Sequence, residues 1–131
     1  MMTESLENYL ETISFLSDDG EVRVTDIASR LRVRKPSVLT ALKNLEEQGL
    51  LEHQRYGTVF LTAKGKIEAQ AIRDRHQFLT SFLRDLLGVA PETAEADACK
   101  MEHLLSKETM QKMKNFVIKT KKNNAANTGA D

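Results

Sequence analysis

Apolar residues recur with a helical period from the start of the chain. Leu6, Tyr9, Leu10, Ile13 and Leu16 follow the i, i+3, i+4, i+7 pattern, which predicts an amphipathic helix from about Ser5 to Ser17, ended by Asp18-Asp19-Gly20. Val22-Arg23-Val24 reads as a short extended piece. Thr25 is placed to N-cap a second helix through Arg32, with Ile27, Ala28 and Leu31 facing inward. After Val33-Arg34-Lys35, Pro36 falls in the first turn of a third helix that runs to Gln48 and stops at Gly49. Val38, Leu42 and Leu45 form its inward stripe, and Ser37, Thr40, Lys43 and Asn44 face out.

A helix, a turn of three or four residues and a second helix is the arrangement that sets its second member in a DNA major groove. Leu50 to His53 and Thr58 to Thr62 then flank Gln54-Arg55-Tyr56-Gly57, a β-hairpin with a basic and aromatic tip. From Ala63, the residues Ile67, Ala71, Phe78, Phe82 and Leu86 predict one long helix to Leu87, broken by Gly88-Val89-Ala90-Pro91. Pro91 opens a helix with Ala94, Ala98, Met101 and Leu105 inward, and Ser106 caps a last helix bearing Met110, Met113 and Val117. The expected class is mainly α, a winged helix-turn-helix with a small β-hairpin wing followed by an all-α dimerisation domain. The expected domains are residues 1–63 for DNA binding, 64–119 for the linker helix, dimerisation and metal binding, and 120–131 as a disordered tail without apolar side chains long enough to bury.

Charge alters this picture through its distribution. Lys plus Arg and Asp plus Glu number 19 each, so no global basic field exists. Residues 1–21 nevertheless carry Glu4, Glu7, Glu11, Asp18, Asp19 and Glu21 with no Lys or Arg, and Arg30, Arg32, Arg34 and Lys35 follow within one short stretch. That segregation suggests a cation site in one place and phosphate contacts in another. The chain has 131 residues, no apolar run of the roughly 20 residues a membrane span needs and no basic n-region at its start, so a cytoplasmic protein without a membrane is expected. Its one cysteine cannot form an internal disulfide.

That cysteine has company. Cys99, Glu102 and His103 stand at i, i+3 and i+4 of a predicted helix, facing outward, and so offer a thiolate, a carboxylate and an imidazole to one point, half of a divalent-metal site. The first helix presents Glu4, Asn8 and Glu11 opposite its apolar stripe, and the long helix contributes His76. A thiol nucleophile with a base is the enzymatic alternative for Cys99 and His103. No glycine turn stands nearby to build an oxyanion hole, so an enzyme is not expected.

The order of winged helix-turn-helix, long linker helix with Arg75-His76, then Cys-Lys-Met-Glu-His-Leu-Leu-Ser at 99–106 resembles the diphtheria-toxin-repressor family of metal-dependent transcriptional repressors. The resemblance covers about residues 3–118 and includes Glu-Asn-Tyr-Leu-Glu-Thr-Ile at 7–13. It implies metal ligands at Asn8, Glu11, His76, Cys99, Glu102 and His103. It also implies a homodimer that binds double-stranded operator DNA and represses metal-uptake genes. Position 8 is usually methionine in iron sensors or aspartate in manganese sensors, and Asn8 offers a neutral oxygen weaker than a carboxylate. Thr80 and Glu95 replace a carboxylate and a histidine of the iron branch, so an ancillary site of that style lacks ligands. A paired-ion arrangement would use Glu11 and His76 for one ion, Cys99 and His103 for the other, and Glu102 as the bridge.

The two-domain length resembles the manganese branch, whereas the softer thiolate of Cys99 favours iron. The expected cofactor is thus Fe2+ or Mn2+, one or two ions per protomer. On DNA, Arg34, Lys35 and Arg55 are assigned chiefly to phosphates, with Lys43 on the same exposed face. The resemblance supports Pro36, Ser37 and Thr40 as base-facing, with Pro36 and Ser37 able to touch thymine methyl groups. The competing reading is a metal-independent winged-helix regulator that senses an oxidant through Cys99 or an organic ligand.

Overall fold

The computed structural model describes residues 2–54 and 57–129, without the side chains of 124–129. Arg55, expected at the wing tip, lies outside the described residues. The chain divides into two compact units between Arg75 and His76.

In the first unit, α1 spans Glu4–Ser17. Thr3 caps it, its Oγ1 accepting from the Leu6 N–H at 3.2 Å, and Glu4 and Glu7 in the first turn complement the helix dipole. Strand β1 is Val22–Arg23 and runs directly into α2, Val24–Leu31. The cap of α2 differs from the expectation: Arg23 occupies the N-cap and its N–H donates to Asp26 Oδ2 at 2.9 Å, so Thr25 lies inside the helix. The turn to α3 passes through Arg32 in the left-handed region, φ 56°, where the Val33 N–H closes onto the Ala28 carbonyl at 3.1 Å. Helix α3 covers Lys35–Glu47 with Pro36 in its first turn, as the sequence predicts.

Strands β2, Leu51–His53, and β3, Thr58–Leu61, form the hairpin, and β1 adds to its far side, giving the antiparallel order β1-β3-β2 with Val22 opposite Val59 and Glu52 opposite Phe60. Leu10, Ile13, Ile27, Leu42, Leu45, Leu50 and Leu51 are buried together, each such side chain worth about 1.5–3 kcal/mol relative to exposure. Helix α4, Ala63–Ser81, starts at a cap formed by Thr62, whose Oγ1 accepts from the Gly65 N–H at 3.0 Å and donates to the Gly49 carbonyl at 2.6 Å. Ala69 and Ile72 of α4 belong to this same core, which is why the compact unit extends to Arg75, beyond the domain boundary placed at residue 63. The buried positions of α4 are Gly65, Ala69, Ile72, Leu79 and Thr80, and Leu83 is buried in the turn that follows. Ile67, part of the apolar pattern that predicts this helix, is 71% exposed. Arg73 lies over the Phe15 ring at 4.2 Å and donates to Asp18 at 3.1 Å, tying α4 to the end of α1.

In the second unit, the long helix finishes in a π-helical turn at Phe82–Leu86 before Gly88, φ 73°, reverses the chain. Helix α5 spans Pro91–Met101, and α6 spans Lys107–Gly129 with the Ser106 hydroxyl accepting from the Thr109 N–H at 3.1 Å. Leu79, Ala98 and Met110 form the small core, flanked by Phe78, Met101, Leu105 and Met113. The segment expected as a disordered tail from residue 120 is helical through Gly129. Once α6 has nucleated, each added residue gains a backbone hydrogen bond, and alanine and lysine are good helix formers. No helix of the described residues is long and apolar enough to cross a membrane.

Candidate functional site

Glu102 and His103 lie just past the last residue of α5. Glu102 is the C-cap, with its N–H on the Ala98 carbonyl at 3.0 Å, and the chain turns so that the Leu104 N–H meets the Met101 carbonyl at 3.0 Å. This end of the helix carries Glu102 inward: the residue is only 2% exposed, and the His103 side chain is nearly as buried. The three residues expected to face outward thus differ in burial. Cys99 stays exposed on α5, one turn earlier, while Glu102 and His103 turn into the protein.

His76 completes the cluster from α4. Its Nδ1 lies 2.9 Å from Glu102 Oε2, and His103 Nε2 lies 3.1 Å from Glu102 Oε1. One buried carboxylate is thus touched by two imidazoles from different elements. His76 Nε2 pairs with Glu95 Oε1 at 3.0 Å, and the Thr80 hydroxyl donates to the His76 carbonyl at 2.9 Å. The buried Nδ1 of His76 makes no hydrogen bond. A carboxylate withdrawn from water is costly without a compensating positive charge, and a lone pair on a buried ring nitrogen asks for a proton or a metal. Two imidazoles and a carboxylate suit a divalent transition-metal ion.

The remaining predicted ligands belong to the first unit. Glu11 is buried in the middle of α1, 6% exposed, and its Oε2 makes no hydrogen bond, whereas Asn8, one turn earlier, is exposed. The structure therefore brings His76, Glu102 and His103 together within their unit. Glu95, read from the sequence only as the replacement of an iron-branch histidine, pairs with His76: the two are 19 positions apart, and only the packing of α5 beside α4 joins them.

The first unit also carries an exposed polar face. Arg34, Lys35, Pro36, Ser37, Thr40 and Lys43 are all exposed on α3 and its entry, as expected. The Thr40 hydroxyl donates to the Pro36 carbonyl at 3.0 Å, and the Asn44 amide donates to the Thr40 carbonyl at 3.3 Å, so Thr40 turns its hydroxyl proton back into the helix. The exposed Leu39 adds an apolar side chain to the outer surface of α3 that the sequence reading did not single out.

Comparison with known proteins covers both units. Residues 1–59 match the family model described as iron dependent repressor, N-terminal DNA binding domain. Residues 62–128 match the one described as iron dependent repressor, metal binding and dimerisation domain. The transcriptional regulator MntR of Escherichia coli O6:H1 is 44% identical over 117 residues, 88% of this chain and 75% of that protein. An uncharacterized HTH-type transcriptional regulator of Methanocaldococcus jannaschii is 35% identical over 122 residues, 92% of this chain and 98% of its own length. A solved structure described as a manganese-dependent transcriptional repressor in complex with manganese aligns with a TM-score of 0.72 at 29% identity, over 82% of this chain and 50% of that one.

Proposed function

We infer that this chain, which belongs to the iron-dependent repressor family of metal-dependent transcriptional repressors, acts in the cytoplasm as a homodimer that holds operator DNA and silences metal-uptake genes when Mn2+ or Fe2+ is bound. The observation that carries the metal part is the Glu102 carboxylate, buried between His76 Nδ1 and His103 Nε2. When bound, a divalent ion supplies the positive charge that offsets buried carboxylates and holds its ligands at fixed distances. The proposed ligands are Asn8, Glu11, His76, Cys99, Glu102 and His103, for one or two ions per protomer.

Glu11 and Asn8 sit on α1 of the DNA-binding unit, and the other four belong to the helical unit. As an effector, the ion is coupled to DNA binding, typically by about 1–3 kcal/mol. Operator DNA then tightens metal binding by the same factor. On the DNA, Arg34, Lys35, Lys43 and Arg55 meet phosphates, and Pro36, Ser37 and Thr40 enter the major groove. The exposed Leu86, Leu87, Leu104, Phe116 and Ile118 of the helical unit supply apolar surface for a second copy.

The test is an anaerobic DNA-binding titration of chelator-stripped protein on its own upstream DNA, with no metal, Mn2+, Fe2+ or Zn2+ at matched free concentrations. Tight binding only with metal supports the reading, and the ranking identifies the ion. Equal binding with and without metal sinks it.

A further inference from the structure

Glu95 lies outside the expected ligand set, yet it holds one of the two ring nitrogens of His76. The ring is bracketed: Nδ1 faces the buried Glu102 Oε2 at 2.9 Å without a hydrogen bond, and Nε2 pairs with Glu95 Oε1 at 3.0 Å. Nδ1 therefore faces the cluster and Nε2 faces away from it. The Glu95 side chain is 66% exposed, so it contributes little packing, and its charge stays hydrated. A neutral imidazole carries one N–H and one lone pair, and the hydrogen bond at one nitrogen decides which of the two is left to a metal.

We propose that Glu95 is the positioning residue of the metal centre: it accepts the Nε2 proton of His76, fixes the ring's tautomer and rotation, and leaves Nδ1 as the nitrogen that ligates. The proposal rests on the metal-binding reading above. Carboxylates in this outer position make the imidazole a better donor, and their loss typically weakens metal affinity by about 10–100-fold. The Thr80 hydroxyl on the His76 carbonyl does not share this role, because it touches the backbone and leaves the ring free to rotate.

Two variants separate a hydrogen bond from bulk charge. Glu95→Gln keeps an oxygen that can accept from Nε2–H, and Glu95→Ala removes it. The affinity of the full-length protein for Mn2+ is measured by competition with a fluorescent chelator, and the His76 nitrogens of the Zn2+-loaded protein are assigned by 15N NMR. Expected are an affinity at least about tenfold weaker for Glu95→Ala, near wild type for Glu95→Gln, unchanged melting of the metal-free proteins, and ligation through Nδ1. Wild-type affinity in Glu95→Ala, equal losses in both variants, or ligation through Nε2 would overturn the proposal. Failure of the unsubstituted protein to bind Mn2+ or Zn2+ at all would instead overturn the metal-binding reading itself.

Discussion

Gly65 packs so closely against Leu50 that a β-carbon on the glycine would run into the Leu50 carbonyl oxygen. The same carbonyl accepts the Thr62 N–H at 3.1 Å, so the strand end, the α4 cap and the glycine form one tight junction.

Gly65→Ala is therefore expected to destabilise the DNA-binding unit, although alanine is the better helix former. The backbone contact cannot relax by rotating a side chain, and overpacking of this kind costs about 1–3 kcal/mol, more than the roughly 1 kcal/mol that alanine gains in propensity. Urea unfolding monitored by circular dichroism measures the difference. A midpoint equal to or above that of the unsubstituted protein would show that the junction opens freely.

This junction also marks where the sequence stopped being legible. Leu10 and Ile13 on α1, and Val38, Leu42 and Leu45 on α3, announce their buried faces because large apolar side chains repeat at helical spacing. The inner face of α4 begins with Gly65 and Ala69, which have almost no hydrophobic signal, while Ile67 draws attention to the solvent side. Thr25 looked like a cap because of its residue type, but the aspartate at position 26 made Arg23 the cap through a side-chain hydrogen bond. At the candidate site, residue types and spacing singled out Glu102 and His103, and the family resemblance added His76. The inward turn after Met101 and the reach of Glu95 to His76 depend on how the helices pack, which spacing along one helix cannot encode.

Glu102→Gln tests whether the buried carboxylate serves metal binding or folding. Glutamine keeps the shape and removes the charge, whose burial is a cost to the metal-free fold. Expected are a loss of Mn2+ affinity of at least about tenfold, equivalent to about 1.4 kcal/mol, and no loss of stability in the presence of chelator. A variant that binds Mn2+ normally but unfolds more readily would assign Glu102 a purely structural role.

Lys35→Ala probes the phosphate contacts proposed for the start of α3. Lys35 is exposed beside Pro36, and a lysine that neutralises one phosphate contributes one counterion to the salt dependence. With saturating Mn2+, the slope of log affinity against log salt should become shallower by about one, with equal weakening on specific and unrelated DNA. An unchanged slope would remove Lys35 from the phosphate contacts. Ser37→Ala, by contrast, should leave the slope alone and alter preference among operator sequences.

Cys99→Ser addresses the choice of ion. The thiolate is the one soft donor among the proposed ligands, and Cys99 is exposed on α5 while Glu102 and His103 are withdrawn. If Cys99 ligates, the exchange of sulfur for a neutral hydroxyl should weaken Zn2+ and Fe2+ by at least about tenfold and Mn2+ by less, because manganese prefers oxygen donors. Chelator competition under anaerobic conditions reads all three affinities on one protein. Equal affinities before and after the substitution would leave a centre of oxygen and nitrogen donors. Such a donor set removes the softness argument for iron and shifts the balance toward manganese.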